Sequence, residues 1–153
     1  MYIFVVSIIQ LTIKKCDKMK ILNKTATATF SKLVELAKAN NGHAKIDNTK
    51  GFFMPVVVEV IEESENLVKV SIAHYYEQNG DLMADPEMCF AVRNDKLGCM
   101  VIPYYCKQDG LGIERESVIF DGETFKGIRL KMQADHTAFA NMWMRNIKCQ
   151  QKI

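Results

Sequence analysis

A chain of 153 residues with 48% hydrophobic and 25% charged residues is sized and composed for one globular domain, which excludes a fibrous repeat or a disordered polar tract. The formal net charge is +2, and residues 1–18 account for it through Lys14, Lys15 and Lys18 against Asp17, so a neutral body argues against general electrostatic capture by nucleic acid or an anionic membrane. Five cysteines (Cys16, Cys89, Cys99, Cys106, Cys149) without a Cys-x-x-Cys pair exclude a disulfide framework or a structural zinc knuckle, and point to reduced thiols in a cytoplasm.

Residues 1–13 are almost wholly apolar and β-branched. The run is too short to span a bilayer and lacks the basic start and cleavage site of a signal peptide. It reads either as an extra strand or as an upstream translation start placed before Met19. The second reading is preferred, because good patterning begins only after Met19. Residues 1–18 are therefore set apart as an N-terminal extension, and 19–153 are expected to form a single α+β domain.

From Asn23 to Asn41 the pattern is helical, with Phe30, Leu33, Val34 and Ala37 on one face. Asn23 or Thr25 can cap its start, and Asn40-Asn41-Gly42 supplies a left-handed stop. A short strand follows at Ala44–Asn48, then a turn at Thr49-Lys50-Gly51, then a β-branched strand over Phe52–Ile61 with Pro55 near its entrance. The next strand alternates Val68, Val70, Ile72, His74 and Tyr76 against Leu67, Lys69, Ser71, Ala73 and Tyr75. A loop over Asn79–Pro86 separates it from a strand carrying Met88, Phe90 and Val92 inward. Strands at Cys99–Cys106 and Ile113–Phe120 complete an antiparallel meander of four to six strands. A last helix over about Met132–Gln150 offers Met132, Phe139, Met142, Trp143, Asn146 and Ile147 as its inward stripe, with Asp135 as a cap. Two helices flanking one antiparallel sheet describe an α+β fold.

The polar and aromatic residues concentrate between His74 and Glu87. His74 beside Glu77, Asp81 and Asp85 is the ingredient set of general acid–base or metal-assisted chemistry. The plainer reading has His74 buried and hydrogen-bonded on the Val68–Ile72 face. It has Asn79-Gly80-Asp81 and Asp85-Pro86 as turn formers. The carboxylates lack the alternating oxygen donors of a calcium loop, so no metal ligand and no cofactor is assigned. Tyr75 and Tyr105 stand off the main apolar alternation and are candidates to stack on single-stranded nucleic acid, with Arg129, Lys131, Arg145 and Lys148 as phosphate contacts. Cys106 is the expected exposed thiol, and His136 is expected to face solvent. No glycine-rich phosphate loop, Gly-x-Ser-x-Gly elbow or His-Glu-x-x-His is present.

At His74-Tyr75-Tyr76-Glu77-Gln78-Asn79-Gly80-Asp81-Leu82 followed by Asp85-Pro86-Glu87-Met88, the chain resembles a bacterial family of domains of unknown function from plasmids, phages and conjugative elements. Further blocks at 42–48, 53–59, 103–109 and 139–148 extend the resemblance over roughly residues 25–150. It implies a mobile-element setting and brings no activity or catalytic residue.

The expected function is a non-enzymatic domain binding a protein or nucleic acid without a membrane, with Tyr75, Glu77, Asn79, Asp81, Tyr105 and Gln108 as binding residues. The alternative is a metal-assisted hydrolase or nuclease using His74, Glu77, Asp81 and Asp85. A free sheet edge would allow a homodimer.

Overall fold

The computed structural model describes residues 18–95 and 98–153, so the expectation for the apolar N-terminal run lies outside the described residues. The element order is α1 (Lys24–Lys38), β1 (His43–Ile46), β2 (Val56–Glu63), β3 (Leu67–Gln78), β4 (Asp81–Asp95), β5 (Gly98–Gln108), β6 (Ile113–Glu116), β7 (Val118–Asp121), β8 (Thr124–Ile128) and α2 (Leu130–Gln151). Strands β1 to β6 form one six-stranded sheet in sequence order, each antiparallel to the next. This is the expected α+β meander. The strand expected over Ile113–Phe120 instead divides at Ser117, and its second half pairs with β8 in a separate two-stranded sheet.

The sheet has two differently covered faces. Val70 and Ile72 of β3, Met88 and Phe90 of β4, and Val101 of β5 pack with Phe30 and Leu33 of α1 and Trp143 and Ile147 of α2. Both helices therefore lie on one face. Burying each such large side chain contributes about 1.5–3 kcal/mol, which makes this layer the main source of stability. On the opposite face Leu67, Cys89, Ala91, Ile102 and Tyr104 pack beneath Val118 and Phe125 of the β7–β8 hairpin. Lys69 and Arg93 sit over Phe120 and Phe125 there, 4.5 and 5.6 Å from the ring centroids.

Helix α1 follows its sequence closely. Asn23 is the N-cap, its Oδ1 accepting from the Ala26 N–H at 2.8 Å, which contributes about 1 kcal/mol. Asn41 and Gly42 adopt the positive φ that ends it. Helix α2 departs from expectation. It starts at Leu130 with Arg129 as N-cap, and Asp135 lies inside it. Its buried face carries Gln133, His136, Thr137, Ala140, Trp143, Met144, Ile147 and Gln151, whereas Met142 and Asn146 are exposed.

The polar part of that face joins distant segments. Gln133 accepts from the Lys20 N–H (2.7 Å) and donates to the carbonyls of Lys20 (2.7 Å) and Pro103 (3.2 Å), copying a backbone ladder with a side chain. Gln151 accepts from the Asn48 N–H (2.9 Å) and donates to the Met54 carbonyl (3.1 Å). An apolar stripe cannot make these bonds, so hydrophobic periodicity found Phe139, Trp143 and Ile147 but missed the polar part of the inward face.

Candidate functional site

The hairpin joining β3 to β4 closes over two residues. Asn79 (φ 52°) and Gly80 (φ 83°) both take the left-handed conformation that lets a two-residue turn match strand twist. Gln78 pairs with Asp81, so the expected Asn79–Pro86 loop is the start of β4 instead. Further in, Ala73 pairs with Glu87 and Tyr75 with Ala84, leaving Asp85 and Pro86 opposite His74 alone. This bulge accommodates a proline that has no N–H for the ladder.

His74 lies on the helix side of the sheet. It is buried, its edge meets Trp143 at 5.4 Å between ring centroids, and its Nδ1 is 2.9 Å from the Pro55 carbonyl oxygen. A carbonyl only accepts, so Nδ1 carries the proton and donates. Burial holds the imidazole pKa below its ordinary value, against the opposing pull of the Pro55 bond and Asp85. Glu77, three residues on, points to the other face and is exposed, as is Asp81 at the hairpin. The structure therefore brings Asp85 near His74 and leaves Glu77 and Asp81 apart. Among the described residues, no group of three or more His, Cys, Asp or Glu side chains is placed to hold a metal ion.

Tyr75 and Tyr105 share the face opposite the helices. A bulge in β5 explains the second: Cys89 pairs with Tyr105 and Phe90 with Pro103, so Tyr104 is the extra residue. Tyr104 and Tyr105 then fall on the same side, and Cys106 turns into the helix-side core. Cys106 is buried rather than the expected exposed thiol, and among the described residues Cys99 and Cys149 are the exposed thiols. Ser71 donates to Glu87 at 2.9 Å, and Tyr105 donates to Glu114 at 2.8 Å. Burial, then Glu87 and Glu59, raise the Tyr75 phenol, and burial with the Glu114 bond raises Tyr105. Both phenols stay protonated.

Among the described residues, the β7–β8 hairpin covers only part of this face. On the rest, register places Glu59, Glu77, Glu87, Glu114 and Glu116 with only Lys45 and Lys107. Lys107 lies 3.6 Å from Asp109. Towards β1 the surface dips into a groove of about 320 Å³ lined by Lys45, Pro55, Val57, Tyr75, Tyr76, Glu77 and Leu82. The chain entering it at Pro55 presents Phe52, Phe53 and Met54 outward, with Phe52 88% and Leu82 65% exposed. Sequence patterning had assigned Phe52–Met54 to a strand. Pro55 was the available signal, since a proline at a strand entrance leaves what precedes it outside. Asn79 sits exposed in the hairpin turn, and Gln108 lies half-buried at the end of β5, away from the groove lining.

The helical layer has the opposite charge character. Lys24, Lys32 and Lys38 of α1, Lys131, Arg145 and Lys148 of α2, and the flanking Arg129 and Lys152 are exposed, against only Glu35 and Asp135. The neutral total thus conceals a segregation of charge between the two sides. It also separates Arg129, Lys131, Arg145 and Lys148 from Tyr75 and Tyr105 by the thickness of the sheet. His136, expected at the surface, is buried with Nδ1 2.9 Å from Ser117 Oγ, and Ser117 itself is 1% exposed. The pair joins α2 to the β6–β7 junction and offers no accessible nucleophile.

The sequence model of a family described as Domain of unknown function (DUF6908) matches residues 28–153. No curated protein and no solved structure matches the chain.

Proposed function

We propose that this chain, which belongs to the family described as Domain of unknown function (DUF6908), is a non-enzymatic protein-binding domain. Its recognition surface is the uncovered end of the sheet, from the Phe52–Met54 loop through the Tyr75 groove to Glu87 and Tyr105. The observation that carries this reading is Phe52, 88% exposed on a segment fastened beside an apolar groove. Gln151 holds the Met54 carbonyl and His74 holds the Pro55 carbonyl, so the display is built in.

Protein interfaces combine an aromatic and apolar centre with a charged rim, and aromatic anchors dominate their energetics. Docking that buries Phe52 contributes about 1.5–3 kcal/mol. Five glutamates against two lysines select a polypeptide presenting an apolar side chain flanked by lysine or arginine. The same carboxylates disfavour a phosphate backbone on this face. Glu77 lies on this surface, while Asn79, Asp81 and Gln108 lie beyond its rim.

An accessory role on a mobile element, which the family resemblance implies, and a cytoplasmic setting, which the unpaired cysteines imply, accord with such a binding domain. Co-purification from a bacterial lysate tests it by comparing the wild type with Phe52→Ser and Tyr75→Ala. A partner held by the wild type and released by both variants is expected. Equal recovery with all three removes this surface from consideration.

A further inference from the structure

The cleft between the two helices is furnished with hydrogen-bond donors. It has a volume of about 320 Å³, and its polar lining is Asn23, Thr25, Asn141 and Arg145. Asn23 commits its Oδ1 to the Ala26 N–H, and Asn141 commits its own to the Asn23 N–H at 3.0 Å. Each amide also has an NH₂ group, which only donates. Arg145 adds a permanently charged fork of five donors, suited to the oxygens of a phosphate. A ligand for this set is anionic and rich in acceptor oxygens.

The setting extends the requirement beyond one phosphate. Positive side chains continue along both helices, with Lys24 and Lys32 on α1 and Lys131 and Lys148 on α2, all exposed. Such a distribution fits a polyanion. An anionic membrane is the poorer match, because surface-lying helices insert an apolar face. Here the apolar faces of both helices, Phe30 and Leu33 with Trp143 and Ile147, are already in the core.

We infer that the outer face of the helical layer, centred on the α1–α2 cleft at Arg145, binds the phosphate backbone of nucleic acid without reading its sequence. This surface is on the side of the sheet opposite the proposed protein-binding groove, and the two readings stand or fall separately.

Fluorescence anisotropy with short labelled duplex DNAs of two unrelated sequences tests it. The expected result is equal binding of both at low salt, with log affinity falling linearly against log salt concentration. Arg145→Gln should weaken binding about tenfold and lower the magnitude of the salt slope by about one. Asn141→Asp should weaken it similarly, since it keeps the acceptor that holds Asn23 and adds a negative charge to the cleft. Lys126→Gln, exposed on the β7–β8 hairpin across the sheet, should leave binding unchanged. Circular dichroism confirms that the variants fold. The inference is overturned if neither duplex binds at low salt, if affinity is insensitive to both cleft variants, or if phosphatidylserine vesicles are bound and DNA is not.

Discussion

The Nδ1–H of His74 donates to the carbonyl oxygen of Pro55 across 2.9 Å, fastening the central strand β3 to the segment that leads from the exposed Phe52 into β2. The family-like motif around His74 is thus tied to the display loop through a structural bond. The polar cluster that looked catalytic contributes its histidine to the scaffold and its tyrosine to the surface.

Acidification should destabilise the protein. Burial lowers the pKa of both His74 and His136 from an ordinary value of 6.5. Falling pH therefore protonates the unfolded chain first. The stabilisation is complete above about pH 6.5 and is lost as pH falls from there through the lowered folded values. Urea midpoints should decline between pH 7.5 and pH 5, and His74→Gln should flatten that decline. A midpoint that rises on acidification would contradict the assignment of neutral imidazoles.

Gln151→Ala should cost about 2 kcal/mol in urea unfolding at neutral pH, because it leaves the Asn48 N–H and Met54 carbonyl without partners. The loop holding Phe52 should also gain faster amide exchange. Gln133→Leu should show a comparable loss at the other end of α2, although leucine suits an apolar stripe better. Either variant matching the wild type would show that these amides do not bear on stability.

Phe52→Ser should change stability by no more than about 0.5 kcal/mol, since the ring is solvent-exposed. Phe90→Ala, at the centre of the helix-side core against Phe30 (5.1 Å between centroids), should cost about 3–5 kcal/mol. The contrast is measured by chemical denaturation of both variants. A large loss at Phe52 would mean that the ring packs inward.

Alkylation of the native protein at pH 7.5 should label Cys99 and Cys149 and spare Cys89 and Cys106, as read by peptide mapping. Burial pushes the Cys89 thiol up to about 12, so scarcely any thiolate is available there. Preferential labelling of Cys106 would contradict the β5 bulge that turns it inward.

Much of the sheet was legible because period-two alternation is a local property. Val68, Val70 and Ile72 mark the helix-facing side of β3 directly. What escaped prediction depends on long-range bonds or on register. The bulges at Asp85-Pro86 and Tyr104 shift alternation by one residue, which extended β4 to the turn and reversed the side of Cys106. The polar part of the α2 face was missed, although Trp143 and Ile147 lie inward as expected, because Gln133 and Gln151 are buried by carbonyl and N–H partners more than 90 residues away or on separate strands. No helical periodicity reports those partners.

His74 and Tyr75 were more readable than the charge, since the plainer reading of a buried, hydrogen-bonded His74 is what the structure shows. Tyr75 stands on the face that strand alternation assigned to it, whereas Tyr105 reaches that face only through the β5 bulge. Phe52 was hidden because its β-rich surroundings resemble a strand, and only the fold shows it left outside. The segregation of glutamates from lysines was invisible in the summed charge, since it requires knowing that both helices occupy one side.

The central claim is tested most directly by photo-crosslinking, with p-benzoylphenylalanine replacing Phe52 in cells and, as a control, replacing the exposed Ala28 on the outer face of α1. The account predicts a discrete protein adduct from position 52 that position 28 does not give and that Tyr75→Ala abolishes. The same adduct from both positions, or none from position 52, would contradict it.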